Sequence, residues 1–137
     1  MTDEAKRGRG AGIVVRDAHY PDRAPIEAYG NGGFRFAGMS HRGSILCVPS
    51  GIYGFSVSDP ADLDVEALAK VFAEQAGIEV LLVGTGTDLR PLPADVKAAA
   101  REAGIMADPM STGAAVRTFN VLLSEDRAVA GVFLAVD

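Results

Sequence analysis

The chain has 137 residues, 48% of them hydrophobic and 23% charged, with a formal net charge of −5. That length and balance suit one folded domain with a single core, and they exclude disordered and fibrous classes. The acidic balance excludes a general nucleic-acid binder, which needs excess Lys and Arg to neutralise phosphates. The single cysteine, Cys47, excludes an internal disulfide framework and any cysteine metal cluster.

Residues 1–12 are polar, charged and glycine-containing, which predicts a flexible tail ahead of one domain over 13–137. The basic Lys6, Arg7 and Arg9 are followed by no apolar stretch of signal-peptide length. No run reaches the roughly 18 apolar residues of a spanning helix. The expected location is therefore the cytoplasm, with no membrane insertion. Residues 13–15 suit a short edge strand, and residues 19–25, with two prolines, a loop.

Residues 26–55 read as β structure. Phe34 and Phe36 flank Arg35, the period-two alternation of a half-buried strand. The glycines of 29–33 suit a tight reversal, and residues 39–43, carrying His41 and Arg42, a second turn. The run SILCVP, 44–49, is apolar on both faces and ends at Pro49, and residues 52–57 add one more strand. Residues 59–77 predict a helix, capped by Asp59 or Asp62, buried along Val65, Leu68, Val71 and Phe72, and stopped by Gly77.

EVLLV, 79–83, has the apolar character of a strand at the centre of a covered sheet. A helix follows over 93–103, then a brief strand at 105–108 cut short by Pro109. Ser111 or Thr112 caps a third helix that runs to Leu123 and buries Ala115, Val116, Phe119, Leu122 and Leu123. The last strand is 128–136. Strands alternating with helices imply right-handed crossovers, so the two strands of 80–108 should be parallel. Periodicity does not set the direction of the last one.

The loop 84–91, GTGTDLRP, lies where open α/β sheets bind ligands, at the carboxyl end of a strand. Gly84 and Gly86 permit close backbone approach, Thr85, Thr87 and Asp88 offer oxygen groups, and Arg90 can hold an anion. Equally, the glycines can serve only the turn and Asp88 only local amides. Leu89 stands where a dinucleotide fingerprint needs its third glycine, and no Gly-Lys-Ser/Thr follows. Arg117, Thr118 and Asn120 form a second candidate group. Arg117 and Asn120 share a helix face, which suits a polar pocket wall, or a solvated face, or a salt bridge from Arg117 to an acidic neighbour such as Asp88.

The remaining polar residues read as structural. Ser111 and Thr112 have no base near in sequence and no G-x-S-x-G elbow, so they serve as caps. His19 and His41 lie in distant loops and make no metal set. Cys47 is a small buried hydrophobe with no cation near in sequence to activate it. Asp62, Asp64, Glu66 and Glu74 fit a solvated helix face. Core packing accounts for most of Phe34, Phe36, Tyr53 and Phe55, and an exposed one would mark a partner surface. No catalytic residue, metal site or cofactor is expected.

The segments IEAYGNGGFRFAGMSHRGSILCVPSGIYGF, LLVGTGTDLRPLP and STGAAVRTFNVLLSEDRAVAGVFL, spanning roughly residues 26–136, resemble a known family. It is the family of small α/β proteins that includes mitochondrial complex I assembly factor three, together with many bacterial and archaeal proteins of unknown biochemical function. The resemblance implies a three-layer α/β fold. A central mixed, mostly parallel sheet carries helices on one face, and extra strands plus a helix on the other. It also implies a last strand running against its neighbours. Relatives often carry tryptophan near Phe55, whose ring keeps the bulk without the indole N–H. The family brings no established catalytic residues.

Two functions follow as expectations. The first is a non-catalytic interaction protein that assists assembly of a respiratory-type membrane complex by binding an unassembled subunit. The alternative is a binder of a small anionic ligand, or an enzyme, using the Gly84 to Arg90 loop with Arg117 and Asn120.

Overall fold

The computed structural model describes residues 19–137, so the tail expected at 1–12 and the edge strand expected at 13–15 lie outside it. Five short strands come first: β1 (Ile26–Gly30), β2 (Gly33–Phe36), β3 (Met39–Arg42), β4 (Ser44–Val48) and β5 (Gly51–Phe55). The first three form an antiparallel sheet in the order β1-β2-β3. Both of its hairpins turn on two residues at positive φ, Asn31 (53°) with Gly32 (78°), and Ala37 (50°) with Gly38 (74°). Such type I′ turns match the right-handed twist of the strands they join. Residues 39–42 are thus strand, not the expected turn. The reversal comes two residues earlier, where Ala37 carries no sequence signal for a left-handed backbone.

The larger sheet has five strands in the order β5-β4-β8-β6-β7. Here β6 is Val80–Gly84, β7 is Met106–Met110 and β8 is Val129–Phe133. β6 runs parallel to both β7 and β8, while β4 is antiparallel to β5 and to β8. The last strand therefore runs against only one neighbour, β4. The helix before it is a crossover that returns the chain in the direction of β6, so the opposition implied by the resemblance holds on the β4 side alone.

Alternate residues of the sheet serve two cores, as period-two geometry demands. Leu46, Val48, Leu81, Val83, Ala130 and Val132 face the helices α1 (Ala69–Ala73) and α2 (Ala94–Glu102). Ile45, Cys47, Leu82, Val129 and Phe133 face α3 (Thr112–Ser124) and the inner side of β1–β3. The Phe119 ring stands edge-on to Phe133 at 5.3 Å and 78°, a pair worth about 1 kcal/mol beyond its burial. The architecture is the three-layer α/β arrangement with a mixed central sheet that the resemblance implied.

Two elements differ from expectation. The helix over 59–77 is broken into a 3-10 turn at Pro60–Asp62, five α-helical residues, and a 3-10 turn at Gln75–Gly77. Asp59 accepts from the Ala61 N–H at 2.9 Å and Asp64 from the Ala67 N–H at 2.7 Å. Each aspartate starts its own turn, and the two starts prevent one continuous helix. Leu68 and Val71 are still fully buried.

Pro109 sits inside β7 rather than ending it. Met106 N–H bonds to Glu79 and the Met110 carbonyl accepts from Thr85, so positions 106, 108 and 110 face β6. Pro109 faces outward at the sheet edge, where its missing N–H breaks no ladder bond and discourages further pairing. The opposite edge, β5, is covered by the Tyr20 bridge to Ile52.

Candidate functional site

The loop after β6 is held by two threonines. Thr85, 3% exposed, donates its hydroxyl to the Asp88 carbonyl at 2.7 Å and accepts from the Arg90 N–H at 2.9 Å. Its own N–H bonds to the Met110 carbonyl at 2.9 Å. Thr112, fully buried, accepts from the Gly86 N–H at 3.0 Å and donates to the Leu134 carbonyl at 2.7 Å, while its N–H returns to the Gly86 carbonyl at 2.8 Å. Gly86 takes φ of +107°, which disfavours a side chain. A Cβ on Gly84 would lie 2.9 Å from Thr112 Cα, so that glycine sets how closely the loop approaches α3.

The loop is thus a staple between β6, β7, α3 and the residue after β8. Gly84, Thr85 and Gly86 serve it from within, whereas Thr87, Asp88, Leu89 and Arg90 are exposed. Leu89 is 60% exposed at the tip. Arg90 lines a surface cavity of about 500 Å³ with Asp59, Pro60, Ala61, Pro91, Leu92 and Pro93. The sequence offers Ser111 or Thr112 as the cap of α3. Ser111 does the capping, accepting from the Ala114 N–H at 3.4 Å, and nothing local in sequence marks the role of Thr112.

The helix residues divide differently. Asn120 clamps the Ile26 backbone, accepting its N–H and donating to its carbonyl, both at 2.9 Å. It fastens α3 to β1. Thr118 donates back to the Ala114 carbonyl at 2.9 Å within its own helix. Arg117 is exposed and pairs with no described residue, Asp88 included. Five residues separate it from Thr112, a rotation of about 140° around the helix, so it points away from the face that meets the loop. The cavity beside Arg90 includes none of Arg117, Thr118 and Asn120.

The two histidines, expected in distant loops, meet over Gly54 of β5 with ring centroids 4.7 Å apart. His41 lies on β3, and its Nε2 is 3.2 Å from the Ser44 carbonyl, to which it donates. Among the described residues no group of three or more His, Cys, Asp or Glu converges on one point. Cys47 is 3% exposed, and burial pushes its thiol pKa far up, which keeps it protonated and unreactive. No helix among the described residues is long and apolar enough to cross a membrane.

Comparison with known proteins places these features in a wider group. The family described as "Protein of unknown function (DUF498/DUF598)" matches residues 26–134. An uncharacterized protein of Rhodobacter capsulatus is 37% identical over 122 residues, 89% of this chain and 93% of the relative. A Danio rerio protein named NADH dehydrogenase [ubiquinone] 1 alpha subcomplex assembly factor 3 is 30% identical over 132 residues, 96% of this chain and 75% of its own length. The crystal structure of an outer membrane protein from Bartonella henselae superposes with a TM-score of 0.84 at 59% identity, covering 87% of this chain and all of that one.

Proposed function

This chain belongs to the DUF498/DUF598 family of unknown function, and on that footing we propose that it is a non-catalytic interaction protein. It holds an unassembled subunit of a respiratory-type membrane complex. The observation that carries this reading is the inward commitment of the 84–91 loop. The Thr85 hydroxyl is spent on the Asp88 carbonyl and the Gly86 N–H on the Thr112 hydroxyl, and the outward tip offers Leu89 between Asp88 and Arg90, a mixed apolar and charged surface suited to a protein partner. The name of the Danio rerio relative, which aligns over 96% of this chain, points the same way.

Affinity capture of the tagged protein from its native host tests the reading. A subunit of the NADH-oxidising membrane complex should be enriched over a tag-only control. Recovery of no consistent protein partner contradicts it.

One observation favours a second reading, a small-anion binder: Arg90, beside Asp59, lines a cavity large enough for a metabolite. A carboxylate or phosphate ligand that raises the melting temperature of wild type should lose that effect in Arg90→Ala. A broad metabolite panel that shifts nothing removes this reading.

A further inference from the structure

The outer face of the three-stranded sheet holds a cavity that neither reading uses. Phe34 and Phe36 turn inward to the core, so Gly33 and Arg35 of β2 face outward. Register sets beside them Ala28 and Gly30 of β1, and Ser40 and Arg42 of β3. Four small residues make a floor, and two guanidinium groups stand along it. The resulting groove measures about 430 Å³. Its floor cannot easily fill, because a side chain on Gly33 would strike the His41 carbonyl.

The charges in the groove are unevenly satisfied. Arg35 is anchored, with Nη1 donating to Ser40 Oγ at 2.9 Å and Nε lying 3.5 Å from Glu27. Anchoring fixes its plane and leaves part of the fork open. Arg42 is exposed and makes no ion pair with any described residue. Among the described residues Glu27 is the nearby anion, and it is engaged by Arg35 and by the Gly38 N–H at 3.2 Å. On a chain of net charge −5, this leaves a local cationic strip that attracts carboxylates.

The volume falls in the range of small-ligand sites, but such sites enclose most of their ligand. This groove lies open across strands β1–β3, a shape suited to a chain segment laid over it. We propose that it binds an extended acidic segment of a partner protein, with carboxylates gripped by the Arg35 and Arg42 forks. The Arg–carboxylate fork supplies both charge and planar geometry. That the occupant is a protein rests on the interaction reading above; the cationic groove itself does not.

Fluorescence anisotropy at low salt tests the proposal with a labelled glutamate-rich peptide and its glutamine counterpart. Wild type should bind the glutamate peptide, and added salt should weaken it. Arg35→Gln/Arg42→Gln should bind at least about tenfold more weakly. Lys97→Gln/Arg101→Gln, with equal charge loss on α2 across the molecule, should match wild type. An equal loss in that control overturns the proposal, as does displacement of the peptide by inorganic phosphate at matched charge. A wild-type dimer that the arginine variant lacks, with no peptide bound, reassigns the face to a second copy and also overturns it. If the double variant melts early, Arg42→Gln alone carries the comparison, since its guanidinium holds no structural partner among the described residues. Equal capture of a complex subunit by wild type and the arginine variant removes the groove but leaves the interaction reading. Intact peptide binding without any captured subunit does the reverse.

Discussion

Asn120 shows how a polar residue can look like a ligand site and act as a fastener. Its amide meets both the N–H and the carbonyl of Ile26, a residue 3% exposed, so truncation leaves two shielded backbone groups unpaired. Asn120→Ala should lower stability by about 1–3 kcal/mol, read from the midpoint of chemical denaturation. Thr112 carries the same lesson. Thr112→Val keeps the volume but strips the hydroxyl that joins Gly86 to Leu134, and should cost about 2 kcal/mol, while Thr112→Ser should recover most of it. Neither role is legible in the sequence. Asn120 lies 94 residues from its partner and Thr112 lies 26 residues from Gly86, and no local pattern carries a contact of that span. What the sequence did mark correctly was the burial of Cys47 and of Phe34 and Phe36.

At the scale of elements, glycines separate tight packing from loose packing. A Cβ at Gly131 in β8 would run into the Phe133 ring, itself fully buried between Phe34 and Phe119. A Cβ at Gly113 in α3 would run into the Tyr29 ring, which is 42% exposed and can swing outward. Melting curves should therefore show Gly131→Ala destabilised by about 2 kcal/mol and Gly113→Ala within about 1 kcal/mol of wild type, helped by alanine's helix propensity. The elements with a clear apolar pattern were readable: the apolar strands β4, β6 and β8 and the amphipathic helices α2 and α3 appear where their patterns put them. The misread ones each had a competing cue. Two aspartate caps divided the 59–77 stretch, Ala37 hid a hairpin turn, and Pro109 was tolerated only because β7 is an edge.

At the scale of the whole molecule, Cys47 points from β4 of the central sheet into the layer it shares with α3 and β1–β3, and is buried there. A thiol reagent should leave it unmodified in the native protein and modify it fully in denaturant, so its labelling rate reports global opening. Rapid labelling under native conditions would contradict the two-sided burial of β4. The same architecture explains where function was and was not legible. A strand ending in glycines before a helix identified the fold, but the loop's polar groups were already claimed by its neighbours. The cationic groove depends on strand register across β1–β3, which brings Arg35 and Arg42 onto one face only once both hairpins close.

The central claim, that this protein acts by holding a partner during assembly of a respiratory complex, is tested most directly in a host lacking it. Native gel electrophoresis of membranes, stained for NADH dehydrogenase activity, should show the mature complex depleted, subassemblies accumulated, and both restored by the wild-type chain. A full complement of mature complex in the deletion strain, assembled at the normal rate, would contradict it.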